Sequence, residues 1–406
     1  MATALDGLKV LDLSQYVAGP YCTKLLADYG AEVIKIEPPD GGDPARRVGP
    51  FFRDQPDLET SGLFLHLNTN KKSVTLNLET AAARKVFLAL VEHADVVVES
   101  FAPGVMASYG LDYPTLEATN ASLVVTSVTN FGQTGPYRDY KMSEITMYAM
   151  GGIMHSTGLP EREPIKLALT AEQFYAGKAA AAATMGAVIG ARLHGQGQHL
   201  DLSLMEIMAG SQDRTAVAHT TYQYNGNQPQ RRRPEASANL QPHGVYPTAD
   251  GYVQLFSVQP NLWDRVCRMI DRPDLINDPH FTAPESYFGN PDVKAEADEL
   301  ILEWLLQRTM KEATEKAQSV GYPCTPVNNV EDLFKDPQFL ARGFWVEVDH
   351  PATGPLQYPG APFIMSETPW RAGRAPLLGE HTQAVLCDHL GYAAEDVARL
   401  REQGVV

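Results

Sequence analysis

The sequence predicts an α/β protein with a largely parallel β-sheet. Short apolar runs typical of buried strands alternate with helical patterns, and the first strand, helix and second strand fall within about 30 residues. A strand, a helix and a second parallel strand at this spacing form a βαβ unit with a right-handed crossover. The chain has 406 residues, of which 44% are hydrophobic and 20% charged, which is typical of a globular protein.

Five segments in the first third of the chain are expected as strands of this sheet: residues 8–14, 32–36, 73–78, 95–100 and the apolar centre of SLVVTSVTNFG. A helix that ends near Gly30 joins the first two strands, and TAAARKVFLALVEHA forms a helix between the third and the fourth. From Ser143 to about Tyr224 the strand signals fade. Small residues at helical spacing predict closely packed helices there.

A polar, loop-like segment follows, and it predicts a domain boundary near residue 226. Beyond it, GVYPTADGYVQLFSV is expected as a β-hairpin with its turn at ADG. The segments LWDRVCRMI and KAEADELILEWLLQRTMKEATEKAQ show helical patterns. The tail from about residue 325 is punctuated by Pro and Gly and ends in a helical segment, TQAVLCDHLGY.

Charge and cysteine content exclude several classes of protein. The formal net charge is −16, so we expect neither a nucleic-acid partner nor an anionic membrane partner. The four cysteines are far apart and form no CxxC pair, which argues against a metal site and against a disulfide framework. The sequence shows no signal-peptide pattern and no stretch apolar enough to span a membrane. We therefore expect a cytoplasmic metabolic protein.

Motifs along almost the whole chain resemble those of one family. They are VLDLSQYVAGPYCTKLLADYGAEVIKIEPPDGGDPAR (10–46), NTNKKSVTLNL (68–78), ADVVVESFAPGVMASYGLDYPTL (94–116), NFGQTGPY (130–137), GQGQHLDLSLME (195–206), TPVNNVEDLFKDPQFLARG (325–343) and PLLGEHTQAVL (376–386). In order and spacing they resemble the class III (family III, CaiB/BaiF-type) CoA-transferases, typified by formyl-CoA transferase. The resemblance implies transfer of CoA from an acyl-CoA to a small carboxylic acid, without a permanently bound cofactor.

The resemblance also implies an architecture. We expect a large Rossmann-like domain whose parallel sheet is built from both chain ends, and a smaller central α+β domain. Residues 1–225 and 326–406 would belong to the large domain, and residues 226–325 to the small one. Because two subunits of this family interlock like linked rings, the resemblance implies an interlocked homodimer.

Matching motifs identify the residues expected to contact CoA: Gln15, Val17, Ala18, Asn70, Lys71, Lys72, Phe101 and Lys141. The turn after the first strand agrees with this, because ligands bind at the carboxyl ends of parallel strands and helix N-termini there offer N–H groups to phosphate. The turn could instead be purely structural, and Lys71 and Lys72 could be a solvated pair. Two basic positions of the family are unmatched, so Arg46, Arg47 and the Arg231–Arg233 run are alternative cations.

The family chemistry requires an Asp carboxylate, which attacks the thioester to form a mixed anhydride and then an enzyme–CoA thioester. That Asp stands four residues before a Gly, and here the position holds Gln173, an amide that cannot form the anhydride. Glu172 could supply the carboxylate after a one-residue shift of the helix. Alternatively, Thr170 and Gln173 form a capping box and Glu172 only complements the helix dipole.

Glu144 is an independent candidate, because it matches a family Glu that lies beside the substrate. We expect it to act in acid–base catalysis or to orient the substrate. Other functions on this fold stay open: isomerisation, cleavage or hydrolysis of an acyl-CoA without a covalent Asp, or an inactive CoA-binding subunit. Consumption of acyl-CoA without an added acid would distinguish the enzymatic alternatives from CoA transfer.

Overall fold

A six-stranded, fully parallel β-sheet organises the larger part of the chain. The computed structural model describes residues 3–211, 213–231, 242–256, 262–284 and 290–406. The strands of the sheet are β1 (Lys9–Asp12), β2 (Glu32–Glu37), β3 (Lys72–Thr75), β4 (Val96–Glu99), β5 (Val124–Thr129) and β6 (Gln198–Ser203). Their order is β3-β2-β1-β4-β5-β6, so β2 and β3 are added on one side of β1, and β4, β5 and β6 on the other. The switch between the two sides, at β1 and β4, is the position at which doubly wound sheets bind ligands.

The described α-helices surround this sheet and a second, smaller one. They are α1 (Ala18–Asp28), α2 (Gly62–Leu67), α3 (Ala81–Val91), α4 (Val105–Ser108), α5 (Tyr113–Thr119), α6 (Glu144–Met150), α7 (Ala171–His194), α8 (Leu204–Ser211), α9 (Asp213–Asn225), α10 (Trp263–Met269), α11 (Pro279–Thr282), α12 (Pro291–Leu306), α13 (Met310–Ser319), α14 (Val330–Lys335), α15 (Pro337–Ala341), α16 (Thr382–Leu390) and α17 (Ala394–Glu402). Within these residues, none of the helices has the length and apolar character needed to cross a membrane.

Strand β4 shows why the sheet is buried on both faces. Val96 and Val98 pack into the core formed with α1, α7 and α8, whereas Val97 packs into the core formed with α3, α5, α16 and α17. All three valines are fully buried. Burial of one such side chain stabilises the folded state by about 1.5–3 kcal/mol. Because both faces of these central strands are covered, their sequences are continuous apolar runs and not alternating ones.

The chain divides into two compact units. The first comprises residues 1–157, 164–229 and 341–406, and the second comprises residues 158–163 and 230–340. The expected boundary at residue 226 thus lies close to the observed one, but the expected boundary at residue 326 falls inside the second unit. The reason is that β9 (Cys324–Pro326) pairs with β8 (Tyr252–Leu255), which continues the antiparallel sheet begun by β7 (Gly244–Pro247).

The C-terminal segment returns to the first unit, where it packs as helices. The backbone N–H of His381 donates to Ser73 at 2.9 Å, and that of Asn77 donates to Val405 at 2.8 Å. The strands of this segment, β10 (Trp345–His350) and β11 (Gly354–Pro359), form a separate antiparallel hairpin. Both chain ends therefore build the unit, but the expectation that both ends build its parallel sheet is wrong, since all six described strands come from residues 9–203.

Candidate functional site

A cavity of the first unit lies at the carboxyl ends of β1, β4 and β5. Its volume is about 580 Å³, and we call it the Glu144 cavity. One wall is the turn after β1, with Gln15 and Ala18, and another contains Phe101. The start of α6 and the start of α7 complete it with Glu144 and Gln173. Gln15, Ala18, Phe101, Lys141, Glu144 and Gln173, all predicted from the sequence, therefore meet around one cavity.

Hydrogen bonds from two neighbouring segments fix the turn after β1. Ser100 Oγ accepts the N–H of Gln15 at 2.8 Å, and Asp43 Oδ1 accepts the N–H of Tyr16 at 3.1 Å. Tyr16 has a φ of 70°, a left-handed conformation that is costly for a residue with a side chain. At Gly19, an added Cβ would lie 2.2 Å from Ser14 Cβ, so only glycine allows this close approach. Val17, expected as a CoA contact, is fully buried beneath the turn.

Lys71 lies below this turn and not at the cavity surface. Its buried ammonium donates to Asp12 Oδ2, to the Pro20 carbonyl and to Asn68 Oδ1, each at 2.9 Å. Burial lowers the pKa of Lys71 to about 8. Burial also acts to raise the pKa of Asp12, but the ammonium groups of Lys35 and Lys71 lower it well below its usual range. In this structure Lys71 is a buried ion-pair partner of Asp12 and does not line the Glu144 cavity.

Asn70 and Lys72 lie at the amino ends of the strands, the edge opposite to the Glu144 cavity. Asn70 Nδ2 donates to Asp28 Oδ1 at 2.6 Å and to the Arg371 carbonyl at 2.9 Å. Lys72 is the first residue of β3, and its ammonium pairs with Glu32, the first residue of β2, at 2.5 Å. Because all strands run parallel, neither side chain reaches the carboxyl edge where the cavity lies.

A second cavity lies at the carboxyl ends of β2 and β3, and we call it the Asn77 cavity. Its volume is about 130 Å³, and it is lined by Leu13, Gln15, Ile36, Glu37, Pro38, Leu76, Asn77, Leu78, Glu79, Phe101 and Tyr109. Gln15 and Phe101 border both cavities. Asn77 and Tyr109 were not predicted from the sequence, although the end of the predicted strand 73–78 points to this edge.

Of the alternative cations, the three that the structure describes, Arg46, Arg47 and Arg231, do not line either cavity. Arg46 is fully buried, where its guanidinium binds both oxygens of Glu37 at 2.8 and 2.9 Å and Glu59 at 2.7 Å. Arg47 donates to the Gly41 carbonyl at 2.9 Å. Arg231 belongs to the second unit, and residues 232 and 233 lie outside the described part of the chain. The charged side chains that do border the Glu144 cavity are Arg138, Asp139, Lys141 and Glu144 itself.

Glu144 is the first residue of α6, where a capping box orients it. The N–H of Ser143 donates to Thr146 Oγ1 at 2.9 Å, which closes the first turn. Glu144 Oε1 accepts the N–H of Glu172, at the start of α7, at 3.2 Å. Burial raises the pKa of Glu144, while the Lys166 ammonium and a hydrogen bond from the Gln173 side chain act to lower it. This carboxyl group is thus held between two helix starts at the cavity wall.

Glu172 and Gln173 point in different directions. Gln173 borders the cavity, whereas Glu172 is only 2% exposed and both its carboxylate oxygens are buried without a hydrogen-bond partner in the described part of the chain. Successive helical residues differ by about 100° in direction, which accounts for the contrast. The predicted capping box is wrong, because the Thr170 side chain makes no capping hydrogen bond and Gln173 instead bonds Glu144.

The described residues offer no metal centre at this site or elsewhere. No group of three His, Cys, Asp or Glu side chains among them comes close enough to hold a metal ion. The arrangement at the Glu144 cavity is instead two carboxylates, two cations and the amides of Gln15, Asn130 and Gln173 around a space at the switch point of a parallel sheet. Two positive and two negative side chains therefore meet at this cavity.

Comparisons with known proteins agree with the resemblance. A family model described as CoA-transferase family III matches residues 5–382. The chain is 34% identical over 389 residues to the succinate–glutarate CoA-transferase of Agrobacterium fabrum, covering 95% of each. It is 32% identical to the formyl-CoA:oxalate CoA-transferase of Streptomyces avermitilis over the whole of both chains.

A solved structure of a CaiB/BaiF family protein from Brucella suis has the same fold. It superposes with a TM-score of 0.83 at 31% identity, covering 96% of this chain and all of the other. The family match, the two relatives and this structure together confirm the family predicted from the motifs. The chain belongs to CoA-transferase family III.

Proposed function

We propose that the protein transfers CoA from an acyl-CoA to a small carboxylic acid in the Glu144 cavity. The observation that carries the proposal is the position of this cavity at the switch point of the sheet, where Glu144 and Gln173 face the turn after β1. A bound thioester there would lie beside a carboxylate. Membership of a CoA-transferase family supports the same reaction.

The two cavities together suit a long substrate with different chemistry at its ends. The Asn77 cavity is small, at about 130 Å³, and the carboxylates of Glu37 and Glu79 border it. Its amide, the Tyr109 ring and its apolar walls are therefore proposed to take only the uncharged adenine ring of CoA. The pantetheine arm would then pass Gln15 and Phe101, which border both cavities, and bring the thioester to Glu144. Lys141 and Arg138 supply the positive charge that anionic substrates require.

The acids are proposed to be small dicarboxylic acids. Both reported relatives carry the name of at least one dicarboxylic acid, namely succinate, glutarate or oxalate. A second carboxylate on the substrate would be met by the two cations that border the Glu144 cavity. The acyl group therefore lies in the charged part of the site.

The proposal includes a cytoplasmic homodimer. Exposed apolar side chains on α7 and α9 support a second copy as partner, since Ile189, Leu193 and Val217 are each more than half exposed. The free thiols of Cys22, Cys267, Cys324 and Cys387 are consistent with a reducing compartment. Sedimentation of the purified protein would show the mass of two chains, and a monomer would contradict this part.

One observation favours a second candidate function. Gln173 borders the cavity where the family resemblance places an Asp, and an amide cannot form an anhydride. Hydrolysis or rearrangement of an acyl-CoA, without a covalent step, would suit a site of this kind. The two functions differ in whether an acceptor acid is needed.

The test is an assay of succinyl-CoA and related thioesters with and without added glutarate, malonate or oxalate. CoA transfer produces a new acyl-CoA only when the acid is present, and chromatography of the thioesters detects it. Release of free CoA without an acceptor would instead favour hydrolysis. Glu402→Gln, an exposed change on α17, serves as the control variant that should match the native protein.

A further inference from the structure

Glu144 is the carboxylate best placed to meet a thioester bound in the Glu144 cavity. Two carboxylates border this cavity, those of Asp139 and Glu144. The Asp139 side chain is 79% exposed and lies 3.5 Å from the Arg138 guanidinium, so it faces water and a cation. Glu144 is half-buried at the cavity wall and is the stronger nucleophile, because fewer water molecules solvate it.

Two contacts at the start of α7 hold Glu144 in one orientation. Oε1 accepts the N–H of Glu172 at 3.2 Å, and the Gln173 amide also hydrogen-bonds the carboxyl group. Oε2 has no hydrogen-bond partner among the residues that the structure describes. Oε1 is therefore anchored, whereas Oε2 is buried without a partner at the cavity wall and has to turn toward the cavity to react.

Glu172 also carries a carboxyl group, but its side chain points away from the cavity, which excludes it as the group that meets the thioester. It does not border the cavity, and its carboxyl group is buried without partners in the described part of the chain. An ionised carboxylate in that environment would cost several kcal/mol. To reach the cavity, its side chain would have to move by about 100° around the axis of α7.

We propose that Glu144 is the residue that becomes covalently acylated and that Gln173 is a positioning residue for it. This inference rests on the proposed CoA transfer. Oε2 attacks the thioester carbon, the C–S bond breaks, and CoA leaves as a thiolate from a mixed anhydride. The thiolate then attacks the Glu144 carbonyl carbon, which releases the donor acid as a carboxylate and leaves a Glu144–CoA thioester.

The second half of the reaction reverses these steps with the acceptor acid. The acceptor carboxylate attacks the Glu144–CoA thioester, and CoA thiolate leaves a new mixed anhydride. The thiolate attacks the acceptor acyl carbon, which forms the new acyl-CoA and restores the Glu144 carboxylate. No oxidant, reductant or net proton enters, so CoA is exchanged between two acids without loss.

Trapping with hydroxylamine tests the assignment during turnover of succinyl-CoA. Trypsin separates the two candidates, because Glu144 lies in residues 142–162 and Glu172 in residues 167–178. We expect a hydroxamate on Glu144 in the native protein and in Glu172→Gln. Glu144→Gln should lose the hydroxamate and lower kcat by at least about 10³-fold, while Glu144→Asp should retain part of both. Circular dichroism checks that each variant folds.

A separate variant tests the role of Gln173. Gln173→Leu removes a hydrogen bond that lowers the pKa of Glu144, so the acid limb of kcat/KM should move to higher pH. Lys166 and Glu172 are unchanged in this variant. A change in stability with no shift of the profile would show that Gln173 is merely structural.

The outcomes are distinct. Transfer with the hydroxamate in residues 167–178, or transfer that survives Glu144→Gln undiminished, would overturn the assignment and leave the proposed function standing. Absence of transfer with every donor and acceptor pair would overturn both.

Discussion

Close contact between α1 and α7 positions Gln173, and two glycines of α7 allow this contact to be tested. At Gly177, an added Cβ would lie 2.6 Å from the Ala18 carbonyl oxygen and 3.0 Å from Tyr21 Cβ. At Gly186, in the same helix, no atom would lie within 4 Å of the added Cβ. Gly177→Ala and Gly186→Ala therefore add the same methyl group to a crowded and to an open site.

The expected difference follows from two effects. Alanine favours an interior helical position over glycine by about 1 kcal/mol, and this gain applies at both sites. Overpacking against a backbone oxygen costs about 1–3 kcal/mol, and it applies only at Gly177. The propensity gain cancels in the comparison, so the free energy of unfolding of Gly177→Ala should be about 1–3 kcal/mol below that of Gly186→Ala.

Urea unfolding of both variants at equal protein concentration measures this difference through the midpoint at constant slope. Gln173 lies one turn before Gly177, so Gly177→Ala should also lower the rate of transfer, whereas Gly186→Ala should not. Equal midpoints for the two variants would refute the close contact between α1 and α7. In Gly177→Ala, the midpoint of urea unfolding and the rate of transfer should therefore both be lower than in Gly186→Ala.

Three further predictions concern charge. Lys166→Met should move the acid limb of the kcat/KM profile to higher pH, because its ammonium lowers the pKa of Glu144 and the reaction needs the ionised form; an unmoved profile would contradict this. Lys71→Met should lower the free energy of unfolding by about 1–3 kcal/mol, since it removes the nearer of two ammonium groups from the buried Asp12 carboxylate, which keeps Lys35 as a partner. Lys72→Met removes an exposed ion pair with Glu32 and should change the free energy of unfolding by less than about 1 kcal/mol. Calorimetry of both lysine variants measures the two changes. Asn77→Asp should raise KM for acyl-CoA about tenfold with kcat retained, by repulsion of the CoA phosphates, and steady-state kinetics would show it.

The sequence predicted the five strands that are buried on both faces, because continuous apolar runs identify them directly. It missed β6, where QHLDLS mixes exposed and half-buried residues at the edge of the sheet. An edge strand needs apolar residues on fewer positions, so its pattern is weak beside the Ala- and Gly-rich helix before it. Similarly, one helical pattern covered α12 and α13, which a capping box at Thr309 separates.

The residues of the candidate site could be predicted from the sequence only where a local motif identifies them. Motifs singled out Gln15, Phe101 and Glu144, and the structure places all three at one cavity on the carboxyl edge of the sheet. The ion pair of Lys71 with Asp12 spans 59 positions of sequence, and no local pattern reveals such a partner. The different directions of Glu172 and Gln173 depend on the rotation of α7, which only its packing against α1 fixes.

The return of the C-terminal segment has a consequence for synthesis on the ribosome. The Asn77 N–H bonds to the Val405 carbonyl, and Ser73 bonds to the His381 N–H, across more than 300 residues of chain. The strands that carry the cavities emerge early, yet α16 and α17, which cover part of one face of the sheet, emerge only after the whole second unit has been made. We therefore expect the second unit to fold first and the ligand-binding unit to close last, with slow, long-range contacts.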